Sequence, residues 1–119
     1  MDIRLKRAYE PPAISDGYRV LIDRLWPRGL SREQARLDEW ARELAPSSEL
    51  RRWFGHDPTR FMEFRRRYSD ELAAQEAKLR ELRRRAREGT LTLVYGARDT
   101  EHNDAVVLAE ILRRGRRSR

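Results

Sequence analysis

The sequence predicts an α/β domain: a small, mainly parallel sheet of about three strands with helices packed on it, one of them long. Three observations predict it. Short apolar or alternating runs at 3–9, 18–23 and 90–95 have strand length and strand composition. Residues 57–87 carry apolar side chains at helical spacing. The two most apolar strands are separated by helices, which calls for a parallel pair joined by a crossover.

The elements follow in order. Ile3 and Leu5 alternate with Arg4 and Lys6, as in a half-buried strand whose direction the sequence leaves open. Pro11 and Pro12 end it, and Ser15-Asp16-Gly17 marks a turn. Val20-Leu21-Ile22 is continuously apolar, as expected of an interior strand covered on both faces. Ser31 with Gln34 three residues on is a capping box. Trp40 and Leu44 are read on one face of a helical segment ended by Pro46. Ser47 or Ser48 caps a short helix bearing Leu50, Trp53 and Phe54.

Asp57-Pro58 then opens the long helix. Its apolar stripe is Phe61, Phe64, Tyr68, Leu72, Leu79, Leu82 and Ala86, and Gly89 stops it. Thr90 to Tyr95 is the last strand, and Asp99 or Thr100 is expected to cap a final helix through Leu112. Residues 1–112 are therefore read as one domain. Residues 113–119 form a basic tail expected to be disordered.

Composition narrows the function. The chain has 119 residues, a hydrophobic fraction of 39% and a charged fraction of 39%, enough to bury a core without staples. It has no cysteine, which excludes disulfides, thiolate catalysis and Cys-ligated metal. No apolar run reaches the length of a membrane span, and Met1-Asp2-Ile3-Arg4 opens no apolar signal core. A cytoplasmic location without membrane contact is the expectation. Net charge is +7, but the five arginines of the last seven residues account for five of those charges. Nucleic-acid binding is accordingly an alternative and not the favoured partner class, as is a protein-interaction module. No spacing argues for a metal site, and no Gly-rich phosphate loop or nucleophile elbow occurs. The residues name no cofactor or oligomeric state, and they leave enzyme or binding protein open.

In open α/β sheets ligands bind beyond the carboxyl ends of the strands. Asp23-Arg24-Leu25-Trp26-Pro27-Arg28-Gly29 follows the second strand, and Arg98-Asp99-Thr100-Glu101-His102-Asn103-Asp104 follows the last. Parallel neighbours would bring these segments together. Arg24 and Arg28 then suit a phosphate or carboxylate, with Trp26 beside them. Asp23, Asp99 and His102 are the candidate acids and bases, and Asn103 a further polar contact. A small anionic ligand is the expected partner. Each residue also has an ordinary reading. Asp23 accepts loop amides, Asp99 caps a helix, Trp26 fills core, and His56 is a loop residue.

Four stretches carry a family resemblance. They are Asp16-Gly17-Tyr18-Arg19-Val20-Leu21-Ile22-Asp23-Arg24-Leu25-Trp26-Pro27-Arg28-Gly29, Leu44-Ala45-Pro46-Ser47-Ser48-Glu49-Leu50-Arg51, Trp53-Phe54-Gly55-His56-Asp57-Pro58, and Leu93-Val94-Tyr95-Gly96-Ala97-Arg98-Asp99 with His102-Asn103. Together they resemble the YeaO-like family, bacterial proteins grouped as a domain of unknown function. The resemblance implies a compact α/β domain whose motif residues share one surface; Pro46, Ser47, Arg51, Trp53 and Phe54 belong to the same pattern, either lining or covering the same cleft or serving packing alone. It carries over no activity.

Overall fold

The computed structural model describes residues 1–114. Four strands, β1 (Asp2–Arg7), β2 (Tyr18–Leu21), β3 (Glu39–Trp40) and β4 (Thr90–Tyr95), form one parallel sheet in the order β1-β4-β2-β3. The helices are α1 (Arg32–Ala35), α2 (Ser48–Phe54), α3 (Phe61–Leu72), α4 (Glu76–Glu88) and α5 (Asp104–Arg114). The α/β class and parallel sheet agree with the sequence reading, with one strand more than the three expected. The open question about β1 is closed: it runs parallel to β4, Ile3 opposite Leu91 and Leu5 opposite Leu93.

The added strand corrects the helical reading of Trp40. Its backbone lies beside Leu21, the Ala41 amide donates to the Leu21 carbonyl at 2.8 Å, and only 42–44 turn helically, as a 3-10 turn. A two-residue edge strand is too short to show a period of two, so its sequence carries no pattern to read.

Alternation divides the sheet. Ile3, Val20, Ile22, Leu91, Leu93 and Tyr95 face the helices and join Phe64, Tyr68, Leu82, Leu108 and Leu112 in the main core. Every residue of the stripe from Phe61 to Ala86 is buried. The helical stretch is nearly continuous, since a 3-10 turn at Ala73–Gln75 joins α3 to α4. Stacked Phe54 and Phe64 rings, centroids 4.3 Å apart, pin α2 to α3, a geometry worth about 0.5–1.5 kcal/mol beyond burial. The other face has a smaller apolar cluster. Leu21, Val94 and Ala8 lie there beneath Trp26, Leu30, Leu37 and Trp40.

The caps form largely as read. Ser31 and Gln34 exchange both capping-box bonds, Ser47 accepts from the Leu50 amide, and Asp57 accepts from the Thr59 amide ahead of α3. Along the helical stretch Glu63 pairs with Arg67 and Glu76 with Arg83. The last helix starts later than expected. Asn103 is its cap, accepting from the Val106 amide at 2.9 Å, so Asp104 and not a residue near Asp99 opens α5. At its far end α5 runs through Arg114, and Arg113 donates to the Ile3 carbonyl at 2.9 Å. Arg113 and Arg114, read as the start of a disordered tail, thus belong to α5, and the remaining residues of that tail, 115–119, lie outside the described residues.

Candidate functional site

The carboxyl ends of β2 and β4 are adjacent, and the segments that leave them meet. Asp23 follows β2 and accepts from the Gly96 amide, just past β4, at 2.8 Å. Gly96 allows this approach because it has no side chain: a Cβ there would lie 3.2 Å from the Asp23 carboxylate oxygen. From above, the first turn of α5 brings Asp104 into hydrogen-bond contact with Asp23. Asn103 fixes that turn, since its amide also donates to the Asp99 carbonyl at 2.8 Å.

The two carboxyls lie on the floor of a cavity of about 220 Å³. Phe54, Phe64, Pro46 and Ala97 give it apolar walls, and Arg24, Arg51 and His56 reach it from the sides. Arg24 is oriented by the Pro46 carbonyl, to which Nε and Nη2 donate at 3.3 and 3.2 Å. His56 follows α2 with a left-handed backbone, φ +58°, directly after Gly55 at φ +54°. Beneath the floor, buried Tyr68 donates to the Leu44 carbonyl at 2.6 Å.

Electrostatics at the floor are unusual. Burial raises Asp104 well above the ordinary carboxylate range, and the neighbouring Asp23 charge adds to the rise. Burial also raises Asp23, although its bonds to Asp104 and Gly96 and the nearby His56 pull the other way. Two carboxyls this close cannot both ionise readily. Their titration therefore belongs to the pair.

The structure divides the residues singled out in the sequence. Asp23, Arg24 and Asn103 border the cavity, as do Pro46, Arg51 and Phe54. Asp99, His102, Trp26 and Arg28 do not border it, so the expectation of one shared pocket needs correction for these four. Asp99 turns on its own loop, accepting from the Glu101 and His102 amides at 2.9 and 3.0 Å and meeting His102 Nδ1 at 2.9 Å. Those amide bonds and the His102 ring hold its carboxyl below the ordinary range. The His102 ring packs edge-on against Phe61. Trp26 lies with the smaller apolar cluster, its indole donating to the Leu30 carbonyl at 2.6 Å. Arg28 is exposed, and its carbonyl accepts from the Tyr9 hydroxyl at 3.0 Å. Asp104 and His56 gain a place that the sequence reading did not give them. Asp104 lay in the segment read after the last strand, and setting the start of α5 at Asn103, the Asx residue before the apolar run, would have singled it out as the first helical residue.

A family model described as the inactive DUF488-N3 subclade matches residues 2–118. The chain belongs to this family. Curated relatives agree. It is 46% identical over 113 residues to "Uncharacterized protein YeaO" of Escherichia coli (strain K12), covering 95% of this chain and 98% of that one. It is 42% identical over 110 residues to "Uncharacterized protein Rv3073c" of Mycobacterium tuberculosis (strain ATCC 25618 / H37Rv), covering 92% of each. No solved structure matches. The YeaO-like resemblance is thus borne out. In this DUF488-N3i member no helix among the described residues is long and apolar enough to cross a membrane. Nor does any group of three or more His, Asp or Glu side chains among them have metal-binding geometry.

Proposed function

We propose that this DUF488-N3i domain binds a small anionic molecule in the cavity beyond β2 and β4, and that it binds without turning its ligand over. One observation carries the reading: a cavity at the carboxyl ends of two adjacent parallel strands, lined by apolar side chains and by Arg24 and Arg51. Arg24 supports it further, because the Pro46 carbonyl fixes two of its donors and so reduces the ordering cost of capture. The volume of about 220 Å³ lies below the roughly 300–1,000 Å³ of sites for drug-sized ligands. That favours a single ring or an amino-acid-sized molecule, or a nucleotide lodged by one end. The family's description as an inactive subclade supports binding over catalysis.

The test is a thermal-shift panel of inorganic phosphate, mononucleotides, sugar phosphates and small carboxylates. A ligand at 100 times its Kd adds about 2.7 kcal/mol of stability. Arg51→Ala and Arg24→Ala are expected to remove the shift in whole or in part. A panel without any shift, or a shift that both variants leave intact, overturns the reading.

A further inference from the structure

The cavity is chemically two-ended. Its lining combines the half-buried Asp23–Asp104 pair with Arg24 and the exposed Arg51 and His56, alongside the Phe54 and Phe64 rings. A simple anion would satisfy only the cationic side. Carboxylates only accept hydrogen bonds, so two carboxyls in mutual contact need a proton between them. Asp23 has one further partner, the Gly96 amide, and Asp104 meets the backbone at the start of α5. The charged or titratable groups facing the pair are Arg51 on α2 and His56 after it, Arg24 after β2, Tyr68 on α3 and Tyr95 on β4. Of these, Arg24 is turned on Pro46 and Tyr68 on Leu44. Among the described residues no cationic side chain forms a salt bridge with the pair, although His56 lies near Asp23, whereas Asp16 elsewhere in the molecule is held by Lys6 and Arg19.

We propose that the ligand carries both an amino group and an acidic group, its ammonium entering between Asp23 and Asp104 and its acid group meeting Arg51 and Arg24 at the mouth. The ammonium takes the place of the shared proton, which passes to the buffer. Both carboxyls then stand ionised around one positive charge, and no covalent bond changes. The inference rests on the anion-binding reading and adds the second functional group.

Paired probes separate the two ideas. Calorimetry near pH 7 compares 4-(aminomethyl)benzoate with 4-methylbenzoate, and 2-aminoethyl phosphate with ethyl phosphate. Each is run in two non-phosphate buffers of different ionisation enthalpy. In at least one pair the amine-bearing member is expected to bind tenfold tighter or more, releasing up to one proton. Asp104→Asn, with Asp23→Asn as a second variant should the first fold poorly, is expected to abolish the tenfold advantage and the proton release while the desamino partner still binds. If no amine-bearing probe outbinds its partner, the inference falls, and the anion reading stands provided that simple anions still shift the melting temperature. If the whole anion panel fails as well, both fall.

Discussion

Two acid sites lie at opposite ends of the sheet, Asp16 buried and the Asp23–Asp104 pair half-buried, and they resolve the same problem differently. Asp16, just before β2, loses solvation on burial. The Ala13 amide, Lys6 at 3.1 Å and Arg19 at 2.7 Å more than compensate, and the carboxyl is held below its ordinary 3.8. Arg19, also buried, is satisfied in turn by the Ala35 and Arg36 carbonyls. At the other end Asp23 and Asp104 meet each other, and both are raised. A site serving structure alone would have the first arrangement. The second is less favourable for the folded protein and makes sense where a ligand supplies the missing charge.

The largest effect should come from breaking the satisfied site. Asp16→Ala leaves Arg19 and Lys6 without their anion, and removing one partner of a buried pair costs about 3–5 kcal/mol. Chemical denaturation at pH 7 should show this loss or an unfolded protein. A change under about 1 kcal/mol would mean that the cluster contributes little. Asn103→Ala comes next. It removes the cap of α5 and the bond to the Asp99 carbonyl, for roughly 1–2 kcal/mol. Because α5 positions Asp104, ligand affinity should fall with stability.

The two sites should also have opposite pH slopes. Asp16 is depressed, so its contribution is complete above its ordinary 3.8 and is lost as pH falls through the lower folded value. The Asp23–Asp104 pair is raised, so its contribution is complete below 3.8 and is lost as pH rises through the higher folded values. Asp104→Asn has no such proton to lose. It is expected to gain on the unmodified protein as pH rises, by about 1 kcal/mol at pH 8, within the usual span of single substitutions. Denaturation midpoints of both proteins at pH 5 and pH 8 measure this. A constant difference between them would show that the pair ionises independently.

The same contrast shows what the sequence could reveal. The strands at 18–23 and 90–95 and the stripe from Phe61 to Ala86 were legible because burial imposes a period that composition records. Their adjacency brought Asp23 to the end of β4 as expected. Trp40 was misread because two residues carry no period, and the start of α5 because Asp99 and Asn103 are equally good caps on paper. That second ambiguity hid Asp104. Trp26 and Arg28 sit in the same loop as Arg24, but side-chain direction after a strand is set by tertiary contacts. Here the Leu30 carbonyl and the Trp40 ring draw Trp26 away from the cavity.

A final, smaller effect concerns the turns beside the two sites. Next to Asp16, the left-handed position belongs to Gly17, φ +64°, where a Cβ would come within 2.3 Å of the Thr90 carbonyl. Beside the cavity a left-handed position is filled by His56, although a side chain there costs about 1 kcal/mol or more. His56→Gly relieves that cost but adds about 0.5–1 kcal/mol of unfolded-state entropy, so its stability should stay within roughly 0.5 kcal/mol of the original. His56→Ala keeps the strained backbone without the ring and should be the less stable variant, by several tenths of a kcal/mol. Both should weaken ligand capture equally if the imidazole beside Asp23 is what the strain retains. If glycine binds as well as histidine, the turn serves only to lead the chain from α2 into α3.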